Sequence, residues 1–109
     1  MKLSRTQKLI LSSLRKGKKA AVSRYDLANE FGMTELAVRK DLALLCNQYP
    51  ICGGYNSRGY YIAKNKEEIA EYMRCLLNHI KGMRHRVKLM NMHFRKLSGG
   101  KNYVNTTKN

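Results

Sequence analysis

Acidic side chains are scarce in this chain: seven Asp and Glu stand against 22 Lys and Arg in 109 residues, and none follows Glu71. That scarcity removes the usual material of an acid–base active site. Asp26, Glu30, Glu35 and Asp41 lie where helix capping and ion pairing account for them, and Glu67, Glu68 and Glu71 cluster where they favour one helix start. No Ser/His/Asp or Cys/His pairing is suggested by spacing, so an enzyme is not expected. Cysteine offers no framework either. Cys46, Cys52 and Cys75 are odd in number and lack a CxxC spacing, and His79, His85 and His93 come far along the chain without matching intervals. Neither a metal site nor a cofactor is expected, and the thiols are read as reduced and partly buried. No apolar run approaches the roughly 20 residues that span a bilayer, and the opening Lys2-Leu3-Ser4-Arg5 has no apolar signal core behind it. No membrane association and a cytoplasmic, nucleoid-associated location are the expectation.

What is present is charge and pattern. The formal net charge of +15 is the strongest global signal, because a protein this basic is normally held near polyanions, with nucleic acid the leading partner. Hydrophobic residues make up 43% of the chain, enough for one modest core with an appendage. The organising stretch is Val22 to Leu45. Ser23 can cap a short helix carrying Leu27, Ala28 and Phe31 on one face, and Gly32 supplies the permissive backbone on which it stops. Thr34 caps a second helix, in which Val38, Leu42 and Leu45 form the buried stripe and Glu35, Leu36, Arg39, Lys40 and Ala43 fall on or beside the outer face. Two helices joined by a few residues containing Gly form the helix-turn-helix pattern, whose second helix presents its first turns to the major groove. On this reading Arg39 and Lys40 contact bases or phosphates. The bland alternative is two solvated charges, paired with Glu35.

The run DLANEFGMTELAVRKDLALL resembles the helix-turn-helix of DeoR-type bacterial repressors, with its Leu-Ala pair, aromatic-Gly turn, small capping hydroxyl, then Val, two basic residues, Asp and Leu. The segment Val38 to Leu42, VRKDL, is also similar to the N-terminal domain of Rex-type repressors. The resemblance covers roughly residues 22 to 62. It implies a winged helix-turn-helix in which Thr34, Glu35, Arg39 and Lys40 face DNA and Asp41 is largely structural. Both families carry a large C-terminal ligand domain for which 109 residues leave no room, so effector control of that kind is not expected here.

Around this motif, Ser4 to Gln7 reads as a capping box for a first helix with Leu9, Ile10, Leu11 and Leu14, ending near Lys16 and Gly17. The loop Arg15 to Lys19 is either solvated or on phosphates, which makes Lys18, Lys19 and the nearby Arg24 candidate contacts. Ala20, Ala21 and Val22 can form a short strand. Pro50, the chain's one proline, ends the second motif helix, and Ile51-Cys52 and Tyr60-Tyr61-Ile62 flank GGYNSRG as a hairpin, with one of the two tyrosines expected inside and one outside. At its tip Asn56 and Arg58 are further candidate DNA contacts, alongside Tyr55 and Ser57. From Lys66 to about Leu97, Ile69, Met73, Leu76, Ile80, Met83, Val87, Met90, Phe94 and Leu97 alternate at intervals of four and three, a heptad seam suited to a homodimeric coiled coil. Gly82 lies outside the seam and marks either a bend or a split into a helical hairpin.

The fold class expected is therefore mainly α with a small β-hairpin wing and a long C-terminal helix: residues 1–64 a DNA-binding domain, 65–98 a basic dimerisation helix and 99–109 a disordered tail. The expected function is a small dimeric, sequence-specific regulator of double-stranded DNA, a repressor. The alternatives are an architectural or replication–recombination accessory protein of a mobile element, and a protein-interaction module for an acidic partner.

Overall fold

Local hydrogen bonding starts each of the first helices where the sequence places a cap. In the computed structural model, which describes residues 2–55 and 57–100, α1 spans Arg5–Ser13, α2 Arg24–Phe31, α3 Glu35–Leu45 and α4 Lys66–Leu97. Ser4 accepts from the Gln7 amide while the Gln7 side chain accepts from the Ser4 amide, a complete capping box. Ser23 accepts from the Asp26 amide and Thr34 from the Ala37 amide. Gly32 closes α2 in the left-handed conformation at φ 61°, which a side chain would strain. The expected tail from residue 101 and the candidate Asn56 lie outside the described residues.

The protein is mainly helical, with one two-strand antiparallel hairpin, β1 at Ile51–Gly53 and β2 at Tyr60–Ile62, and a long C-terminal helix. It divides into two compact units, Met1–Cys75 and Leu76–Asn109. In the first, α1, α2 and α3 pack on one another around Ile10, Leu14, Leu27, Val38, Leu42, Leu45 and Ile51, all buried. Tyr61 is fully buried, as expected of one of the two tyrosines, whereas Tyr60 is not outside but half-buried against the core. The three thiols are free, with Cys46 exposed, Cys52 buried and Cys75 between the two.

Three expectations change. First, α1 ends at Ser13 rather than near Lys16, because the next residues are recruited as extended chain beside the hairpin: the Ile62 amide donates to the Arg15 carbonyl and the Gly17 amide to the Ile62 carbonyl, both at 2.9 Å. Secondly, Ala20 to Val22 is not a strand. Lys18–Ala20 form a 3-10 turn, and only Val22 pairs with the hairpin, exchanging hydrogen bonds with Tyr60 at 2.9 and 2.8 Å. Thirdly, Gly82 does not split α4, which runs unbroken from Lys66 to Leu97, so the helical hairpin is not formed.

The start of α4 is tied into the first unit by two carboxylates. Glu68 accepts from the Lys64 amide through one oxygen and from the Lys18 amide through the other, both at 3.0 Å, while Glu71 takes the Lys18 ammonium. Asn65 caps the helix by accepting from the Glu68 amide. The two amides hold the Glu68 carboxyl below its ordinary range.

Two predictions follow from this packing. A Cβ at Gly59 would stand 2.5 Å from the Val22 carbonyl carbon and oxygen, whereas one at Gly82 would meet nothing within 4 Å. Gly59→Ala is therefore expected to destabilise by about 1–3 kcal/mol, and Gly82→Ala to stabilise α4 by up to about 1 kcal/mol, both read from urea unfolding. Because the folded-state pKa of Glu68 is lowered, its contribution is full above the ordinary carboxylate range and is lost as pH falls through the lowered value. The loss of stability between about pH 6 and about pH 3 should be smaller in Glu68→Gln than in the parent; an equal loss would remove Glu68 from the account.

Candidate nucleic-acid interface

Helix α3 is held in one rotation about its axis from two sides. Val38 and Leu45 are fully buried and Leu42 nearly so. On the flank toward α1, Asp41 accepts from the Thr6 hydroxyl at 2.9 Å and from the Gln7 side-chain amide at 3.4 Å. Gln7, itself buried, thereby satisfies both ends of its amide, one on Asp41 and the other on the Ser4 amide. Asp41 therefore joins α3 to α1. With that side fixed, the residues one and two positions before Asp41 turn outward, and Arg39 and Lys40 are both exposed.

Their neighbours do not neutralise them. Glu35, the acid nearest in sequence, pairs instead with Arg24 at the start of α2, at 3.2 Å. Arg24 also lies 5.1 Å above the Tyr25 ring, and its guanidinium is held more firmly charged by Glu35 and then Tyr25. Neither Arg39 nor Lys40 makes an ion pair among the described residues. Leu36, in the first turn of α3, is 57% exposed, a large apolar side chain turned to solvent.

The hairpin tip is brought to the same end of the helix pair. Gly59 lies against the backbone of Val22 and Ser23, immediately before α2, and Ser57 braces the turn by donating to the Gly59 carbonyl at 2.6 Å while accepting from its amide at 3.3 Å. Arg58 lies between these braced residues with its side chain exposed. The connections thus run from the tip through Val22 and Ser23 to Arg24, and through Arg24 to Glu35 at the start of α3. Thr34, Glu35, Leu36, Arg39 and Lys40 share α3 and its cap, and Arg24 and Arg58 are linked to it in this way.

Lys18 does not join them. Its ammonium is taken by Glu71 and its amide by Glu68, which draws the 3-10 turn toward α4; Lys19 beside it is exposed. Of the candidates, Lys18 and Arg24 are thus engaged within the protein, whereas Arg39, Lys40, Arg58 and Lys19 make no ion pair among the described residues. Sequence reasoning missed Gly59, Tyr25 and the Thr6–Gln7–Asp41 lock. Only the lock left a sequence signal, the polar Thr6 and Gln7 inside a capping box.

The other polar groups have structural surroundings. Burial pushes the Cys52 and Cys46 thiols up, away from the reactive thiolate, and pushes the Tyr72 hydroxyl up to about 12. Among the described residues no group of three or more His, Cys, Asp or Glu could hold a metal ion, and no helix is long and apolar enough to cross a membrane. No family model, curated protein or solved structure matches the chain.

Proposed function

We propose that the protein is a small, dimeric winged-helix regulator that binds double-stranded DNA in a sequence-specific manner. The first turns of α3 enter the major groove, and the hairpin acts as the wing. The observation that carries the reading is the pair Arg39 and Lys40: exposed and without ion pairs among the described residues, on a helix whose rotation is fixed by Asp41 and whose other face is sealed in the core. Arg39 suits a bidentate contact to guanine and Lys40 a phosphate. The exposed Leu36 suits a thymine methyl, a contact that an apolar side chain makes in the major groove at no polar cost. Arg58 reaches the neighbouring backbone from the wing, and Lys19 adds a phosphate contact from the loop.

Dimerisation in this reading uses the seam of α4. Met83, Val87 and Met90 are 56%, 48% and 57% exposed, and Ile80 is also exposed, so among the described residues a row of apolar side chains at heptad spacing is left open to solvent. A second copy offers the same row, and burying both removes apolar area from water at about 25 cal/mol per Å². An architectural role is the second reading. It is favoured by the cations of α4, which have no acidic residue among them after Glu71.

Two experiments bear on this. Enrichment from a randomised duplex pool at physiological salt should yield a two-fold-symmetric motif, and Arg39→Glu with Lys40→Glu should abolish the preference among sequences while leaving the fold intact by circular dichroism. Unchanged discrimination in that variant would remove α3 as the reading helix. In sedimentation equilibrium the wild-type chain should be a dimer and Ile80→Asp with Val87→Asp a monomer; a monomeric wild type would refute the seam.

A further inference from the structure

The unit Leu76–Asn109 contains eight Lys and Arg and no Asp or Glu. Lys81, Arg84, Lys88 and Arg95 are separated by three, four and seven residues, so they share one face of α4. All four are exposed, and none makes an ion pair among the described residues. At 3.6 residues per turn this face lies roughly 80–140° around the helix from the Ile80, Met83, Val87 and Met90 row. At 1.5 Å per residue it extends about 21 Å from Lys81 to Arg95. Lys81, Lys88 and Arg95 therefore stand clear of the apolar row, while Arg84, four residues from Ile80 and three from Val87, flanks it, so occupying the row leaves most of the cationic face open.

We infer that this face of α4 is a second duplex-binding surface, which grips the phosphate backbone of DNA without reading bases. Four cations in line on a rigid helix, with no acid after Glu71 to neutralise them, match a linear array of phosphates; a protein partner would have to present an acidic strip of equal length. Like charges at i, i+3 and i, i+4 destabilise a helix modestly, a cost that a bound polyanion relieves. An anionic membrane would need the apolar side as well. Here that side is the heptad seam widened by Leu77, with the exposed Leu89 and Met92 lying apart from it, so the apolar residues do not form the one broad stripe that a lipid surface takes. The surface needs no contribution from α3. It rests on the proposed function only for the identity of the polyanion.

The test is the salt dependence of duplex binding by the full chain carrying Lys81→Gln, Arg84→Gln, Lys88→Gln and Arg95→Gln, since Gln keeps the helix. Its control carries Lys2→Gln, Lys8→Gln, Lys64→Gln and Lys66→Gln, which removes equal charge elsewhere. The slope of log affinity against log salt should fall by about 2–3.5 in the α4 variant, near 0.9 per phosphate released, and by less than half as much in the control. The enriched sequence and the sedimentation behaviour should be unchanged. Equal slopes in the two variants, or no change in either, would overturn the surface. So would loss of binding to phosphatidylserine vesicles in the α4 variant with its DNA slope intact, an outcome that would assign the face to lipid. If no motif is enriched and the Arg39 and Lys40 variant is neutral, yet the α4 variant loses its slope, base reading by α3 fails while this surface stands.

Discussion

The hydrogen-bond exchange between Val22 and Tyr60 is the constraint on which the first unit depends. Two strands of three residues each are too little sheet to persist alone. The hairpin persists because the segment between α1 and α2 supplies backbone partners to both ends of β2, Val22 to Tyr60 and Lys16 to Ile62. That pairing also seats Tyr61 in full burial. The approach is so close that position 59 has no room for a Cβ, so the turn sequence GGYNSRG serves docking as much as reversal of the chain. Once the hairpin is fixed to Val22, its tip is fixed to the start of α2, and the proposed wing and reading helix acquire a common frame.

Asp41 plays the corresponding part for α3. A stripe of Val38, Leu42 and Leu45 would hold the helix against the core but would tolerate some rolling about its axis, since burial is non-directional. Two directional hydrogen bonds from Thr6 and Gln7 remove that freedom. The same capping box that starts α1 thus orients α3, and through it the two cations offered to solvent.

What could be read from sequence was what rests on near neighbours. The caps at Ser4, Ser23 and Thr34, the stop at Gly32, the buried face of α3 and the long period of α4 all arise within a few turns of chain, and the residues at those spacings revealed them. The departures arise from distant partners. The sequence around Leu14 favours further helix, but Ile62 takes Arg15 and Gly17 as ladder partners. Arg15 to Lys19 reads in sequence as a basic loop, solvated or on phosphates, yet Lys18 is held by Glu68 and Glu71, about fifty residues on, a relation that no local pattern encodes. Glu35 could be assigned to Arg39 and Lys40 by helical spacing, but Arg24 from the neighbouring helix takes it. Gly82 looked like a break, but one glycine costs only about 1 kcal/mol in a helix interior, too little to interrupt a helix with regular residues on both sides.

The distribution of acids joins these observations. Met1–Cys75 holds all seven together with fourteen Lys and Arg, whereas Leu76–Asn109 has eight Lys and Arg and no acid. In the first unit the acids act mainly as tertiary connectors: Asp41 to α1, Glu30 to Ser13, Glu35 to Arg24, Glu68 to two amides and Glu71 to Lys18. A folded core needs such connectors to fix the orientation of its helices, and each uses up negative charge that would otherwise neutralise the surface. The cations left over at Arg39, Lys40 and Arg58 owe their free charge to that use. The second unit has no acid to serve as a connector, so the cations of α4 there, which make no ion pair among the described residues, are free for a different reason. Along α4 as a whole, charge is ordered by position, with Glu67 and Glu68 in its first turn and Arg95 and Lys96 in its last, each stabilising the helix end it occupies. Free positive charge in the two units therefore has two origins, one left over from folding and one placed where nothing within the chain competes for it.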